Sequence, residues 1–104
     1  MTTYAPLPTT FRKDHFDFTM VNRSPSIAFY SKTKPHYSRP SYEVIVIATR
    51  EDWIAPTGRY YEAHEIFPSS ETWGIYAWTY TDMQDAIVKY RKLVLKHDKI
   101  HTSA

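Results

Sequence analysis

Between Thr72 and His97 the spacing of apolar residues changes from every second position to every third or fourth. The alternation up to Tyr80 is that of a half-buried strand. Beyond it Met83, Ala86, Ile87, Tyr90, Leu93, Val94 and His97 recur on one stripe of an amphipathic helix. The pattern predicts a strand over 72–80 running straight into a helix over 81–99. Thr81, with Gln84 three residues on, fits a capping box, and Asp82 and Asp85 stand where the helix dipole favours negative charge.

Upstream, Tyr42–Thr49 reads as the clearest strand, apolar on both faces and therefore central. Ser26–Ser31 is rich in β-formers, and the alternation Phe16, Phe18, Met20 marks a short strand within an otherwise proline-punctuated start. Lys32–Ser41, with two prolines, reads as a turn or long loop. Glu51–Gly58 reads as a connection ending in a Pro-Thr-Gly turn, and Arg59–Phe67 as a strand that pairs antiparallel with 72–80. The expected architecture is α+β: an antiparallel sheet of three to five strands with one C-terminal helix packed on one face. Residues 1–25 form a partly ordered N-terminal segment, 26–80 the sheet and 81–99 the helix. One long amphipathic segment argues against βαββαβ folds.

With 104 residues, 42% hydrophobic and 23% charged, the chain has the make-up of a single domain with one core. It has no apolar run near the length of a membrane span and no secretory pattern at Met1–Lys13, so a cytoplasmic protein without membrane contact is expected. The absence of cysteine removes disulfides, thiol catalysis and cysteine-ligated zinc. The net charge of +2 is unevenly distributed: seven basic to three acidic residues over 1–50, one to five over 51–80, five to three over 81–104. Basic and acidic segments either face one another within the fold or leave patches of opposite sign.

Catalytic chemistry finds little support. Tyr60, Glu62 and His64 share a strand face, but no nucleophile elbow surrounds Ser69 and Ser70. Two glycines, Gly58 and Gly74, are too few for a phosphate loop or dinucleotide fingerprint. His97 and His101, four apart, make at most an adventitious metal pair. No enzyme activity, cofactor or metal is expected. Two binding surfaces are. If the helix packs on the side of Ile75 and Ala77, then Tyr76, Trp78 and Tyr80 line the helix-free face and form a candidate protein interface, a homodimer included. The competing arrangement has Phe11, Phe16 and Phe18 folding over that face as a second core layer. The alternative surface is nucleic-acid binding by Arg23, Lys32, Lys34 and Arg39 with Tyr37 stacking among them, since the segment from Phe18 to Tyr42 has no acidic residue.

The block FPSSETWGIYAWTYTDMQDAIVKYRKL, Phe67 to Leu93, about a quarter of the chain, resembles the end of small uncharacterised proteins encoded by bacteriophages and related mobile elements. The resemblance implies an accessory protein in a bacterial host cell with no assigned activity, of a class whose members often bind and inhibit or redirect a host or defence protein. The expectation is a small non-enzymatic binding protein acting through contact with another protein, the alternative a small basic nucleic-acid-binding protein using residues 23–39.

Overall fold

The computed structural model describes residues 3–36, 39–68 and 73–98. Its centre is a five-stranded antiparallel sheet in the order β1 (Thr10–Lys13), β2 (Phe16–Arg23), β3 (Ile27–Thr33), β4 (Ser41–Val46), β9 (Ala77–Tyr80), with the helix α1 (Met83–His97) lying across β3, β4 and β9. The α+β class and the C-terminal helix are as the spacing predicts. The first strand is not anticipated by the sequence pattern. It is held by a two-residue turn in which both Asp14 and His15 take positive φ, the backbone that suits the twist of a tight hairpin.

Strand β3 is buried on both faces from Ile27 to Tyr30, and it divides the interior into two layers. On the helix side Ile27, Phe29 and Val44 meet Ala86 and Leu93, with Trp78, Tyr80, Tyr42, Val46 and Ile87 packed around them. On the other side Phe18, Ala28, Tyr30, Ile45, Ala77 and Leu7 form a second layer, edged by Phe11, Phe16 and Phe67. Phe11 and Phe18 stack with centroids 4.6 Å apart, and Tyr30 lies edge-on to both. The N-terminal phenylalanines are thus part of the core, and residues 10–23 belong to the sheet. With apolar partners on both sides, β3 contributes stability through burial at about 25 cal/mol per Å² of apolar surface.

Three expectations are corrected. Arg59–Phe67 does not form one strand paired with 72–80. Among its described residues the latter is regular over Ala77–Tyr80, where it pairs with β4 in the register Ile45↔Ala77, Val44↔Trp78. The segment 59–67 instead splits into β7 (Tyr60–Tyr61) and β8 (His64–Ile66), whose partners are β6 (Trp53–Ile54) and β5 (Ala48–Arg50). Finally, the helix cap is Asp82 rather than Thr81: Asp82 has extended backbone and its carboxylate accepts from the Gln84 N–H at 2.7 Å. An aspartate one residue nearer the helix reaches that amide and adds its charge to the dipole.

The two small ladders share one register. Ala48 opposes Ile66, Arg50 opposes His64, Trp53 opposes Tyr61 and Ile54 opposes Tyr60, so the partners count down in step. They form one β-hairpin arm from Ala48 to Ile66, emerging between β4 and β9. Its tip is a turn with Pro56 first and Gly58 at φ +89°, closed by the Gly58 N–H to Ala55 and the Ala55 N–H to Arg59, both 2.8 Å. Proline presets the first turn angle, and glycine takes the left-handed position without steric cost.

Candidate functional site

The base of the arm is tied to the body. The Ala5 N–H donates to Ala63 (3.0 Å) and the Glu65 N–H donates to Ala5 (2.8 Å), so the N-terminal segment adds a short parallel edge there. The Tyr4 hydroxyl donates to the Glu51 carboxylate at 2.6 Å. Arg23 grips Glu65 with two parallel contacts, Nη1 to Oε1 at 2.7 Å and Nη2 to Oε2 at 3.0 Å, and the Leu7 N–H donates to the same carboxylate. The hydrogen bond from Arg23 holds Glu65 below the ordinary glutamate range against the opposing effect of burial.

Beyond this clamp β6 and β7 pack on each other and, among the described residues, make no substantial contact with any other strand or the helix. The tip carries large apolar side chains on both faces. Trp53 and Tyr61 stack on one face, centroids 5.6 Å apart and planes 16° from parallel, with the Arg59 guanidinium 5.2 Å from the Tyr61 ring. On the other face Ile54 is 68% exposed and Tyr60 59% exposed. Acidic groups flank them: Asp52 accepts from the Tyr60 hydroxyl at 3.3 Å, and Glu51 and Glu62 are exposed. The sequence signal for this surface is a pair of adjacent large apolar residues on each side of a turn, Trp53-Ile54 and Tyr60-Tyr61. In a two-stranded ribbon adjacent residues point to opposite faces, so no single packing partner within the fold can cover both.

The residues expected from the sequence lie elsewhere. Trp78 and Tyr80 face the helix, because Trp78 pairs with Val44 and Tyr80 with Tyr42 on the side that α1 covers; the Lys89 ammonium stands 4.0 Å from the Trp78 ring centre. The helix therefore packs on the large aromatic side chains and leaves Ala77 and Thr79 to the opposite side. This reverses the assignment that made Tyr76, Trp78 and Tyr80 a shared surface. Tyr76 is exposed but sits in the turn before β9, with its carbonyl accepting from the Val46 N–H.

The basic segment is divided too. Arg23 is engaged by Glu65 and by the Ser24 and Pro25 carbonyls. Lys32, Lys34 and Arg39 do share a groove of about 980 Å³ with Phe16 and Tyr42. Within it Lys32 is paired to Glu43 at 2.8 Å and rests 4.6 Å from the Phe16 ring centre. Tyr37 lies outside the described residues. So do Ser69, Ser70 and His101, while the His64 ring meets the Glu62 backbone carbonyl rather than its carboxylate. Among the described residues no three metal-ligating side chains gather, and no helix is long and apolar enough to cross a membrane.

Beside the groove, Glu43 is 2% exposed on the helix-free face. Its Oε2 takes the Lys32 ammonium, while its Oε1 is enclosed and has no hydrogen-bond partner among the described residues. A buried acceptor left unpaired costs about 1–3 kcal/mol.

Neither a protein-family model, nor a curated protein, nor a solved structure matches this chain.

Proposed function

We propose that the protein is a binding protein that engages another protein through the tip of its arm. The carrying observation is the set Trp53, Ile54, Tyr60 and Tyr61, exposed on both faces of a ribbon that makes no substantial contact with another element among the described residues. Isolated two-stranded hairpins are marginal in water, and large aromatic side chains dominate the energetics of interfaces. The tip would insert between apolar walls of a groove that covers both its faces. The flanking Glu51, Asp52 and Glu62, opposed at the tip only by Arg59, favour a groove with a basic rim. A phage-encoded accessory protein acting on a host or defence protein would use a surface of this kind, in keeping with the resemblance of Phe67–Leu93.

The test is capture from bacterial lysate by the immobilised protein at low and high salt, alongside a variant carrying Trp53→Ala and Ile54→Ala and a control carrying Leu95→Ala on the far side of the helix. A protein retained by wild type and control but lost with the tip variant is the expected result. Retention that is indifferent to the tip would refute this assignment, and a dimer dissociated by the tip variant would identify the partner as a second copy.

A further inference from the structure

We propose that the helix-free face of the sheet holds a small-ligand site that takes a nucleoside monophosphate with an amino-bearing base. Glu43 lines a cleft of about 320 Å³ on β1, β2, β3, β4 and β9, with Lys13, Asp14, Lys32 and Thr79 as its other polar lining. Aromatic rings make its walls: Phe16 and Phe18 from β2, and Phe67 and Trp73, which stack with centroids 6.3 Å apart. Thr79, opposite Glu43 in the ladder, lines the same cleft and accepts from the Trp73 indole N–H at 2.9 Å. The cleft is continuous with the groove of Lys32, Lys34 and Arg39, since Phe16, Lys32 and Thr79 line both.

Each part of the site sets one requirement on the ligand. The unpartnered Glu43 Oε1 accepts only and is enclosed, so a ligand that reaches it displaces the side chains over it and brings an N–H or O–H donor. Aromatic walls favour a flat, polarizable body over an aliphatic chain. The Lys13 ammonium stands 4.9 Å from the Phe67 ring centre; Asp14 lines the cleft and Asp82 the groove, but Lys13, Lys32, Lys34 and Arg39 outnumber them and favour a ligand with a negative charge away from its donor. A fully cationic ligand would satisfy Glu43 but would meet Lys13 and Lys32. A base carrying an exocyclic amine, joined through a sugar to a phosphate, fulfils all three requirements. Uracil does not, because its imide N–H lies between two carbonyls that would face the carboxylate.

The site is separate from the arm tip and stands or falls independently of it. The experiment titrates the full chain with adenosine, cytidine, guanosine and uridine monophosphates, and with cytidine and inorganic phosphate alone, following the Trp73 indole N–H resonance and the Thr79 amide. Saturable shifts are expected with the three amino-bearing nucleotides, with uridine monophosphate weaker by about tenfold for the lost bond to a charged acceptor. Arg39→Gln should weaken the nucleotides toward the affinity of cytidine. Glu43→Gln, whose amide pairs with either kind of base, should erase the preference against uridine. Leu95→Ala should leave binding unchanged. Should Glu43→Gln fail to fold, the wild-type ranking of nucleotides against nucleoside and phosphate decides the matter. Absence of saturable shifts, equal response to uridine monophosphate, or the same response to phosphate alone would each overturn the proposal.

Discussion

Arg23 and Glu65, 42 residues apart in the chain, face each other as two parallel pairs of donor and acceptor, and through them the end of β2 is fastened to the base of the arm. This joins the basic first half of the chain to its acidic middle, so part of the uneven charge distribution is answered within the fold. A bidentate guanidinium and carboxylate fix orientation as well as distance, which a single ammonium would not.

Replacing Arg23 by Ala should cost roughly 1–3 kcal/mol, below the figure for a fully buried pair because both side chains keep some solvent contact. Glu65 is then left with the Leu7 N–H as its remaining partner. Because the folded state holds the Glu65 pKa below its unfolded value, the stability it contributes is complete above the ordinary glutamate range and is lost as pH falls through the lowered value. Urea denaturation across the acid range should show a shallower acid limb in Arg23→Ala than in wild type; parallel limbs would mean that the pair is energetically idle.

At the alkaline end the relevant group is Tyr30. Burial pushes its hydroxyl up to about 12, and the hydroxyl donates to the Pro8 carbonyl at 2.8 Å. The folded state favours the protonated form, so its contribution is whole below the unfolded tyrosine value and disappears as pH rises toward about 12. Tyr30→Phe should flatten this alkaline loss while lowering stability near neutrality by about 0.5–1.5 kcal/mol for the missing hydrogen bond. The comparison is read from denaturation midpoints over the alkaline range.

Trp78 is a packing residue, so Trp78→Ala should lower the unfolding free energy by roughly 2–4 kcal/mol, at or below the usual cost of truncating a buried aromatic. Partner binding at the arm tip should survive wherever the variant is folded. Loss of binding with an unchanged melting temperature would return the interface to this strand.

On the helix, two leucines separate core from surface. Leu93 is 5% exposed and Leu95 65% exposed. Leu93→Ala should cost about 2–5 kcal/mol and Leu95→Ala within about 0.5 kcal/mol. Equal effects in a thermal melt would mean that the helix is rotated on the sheet.

The helix and the central strands were legible because their periodicities are long and uninterrupted, as in YEVIVIAT and in the stripe ending at His97. The face that the helix covers was not. Alternation in the last strand shows two sets of side chains without saying which set meets the helix, and small Ala77 suited the closer approach in principle. Tyr42, Val44 and Phe29 on the neighbouring strands decide it, and their register is a tertiary fact. The arm is hidden in the sequence for a related reason. Its segments are too short to show a period, and the join between them rests on the pairing of residues up to 18 apart. Of the basic residues, Arg39 is an exposed position as a proline-rich connection suggests, whereas Lys32, expected in that loop, lies in β3 and pairs with Glu43 by a diagonal contact across two strands that neither segment announces.

The arm also separates two kinds of constraint on the sequence. Trp53 to Tyr61 contributes nothing to either core layer, and its ends are already held together by the paired strands beneath. Doubling the length of such a closed excursion costs only about 0.6 kcal/mol in chain entropy. The tip can therefore diversify, lengthen or be exchanged like a cassette while the sheet stays as it is. Among related chains, drift should concentrate between Glu51 and Glu62, paced by whatever the arm meets, and the residues of β3 should change least.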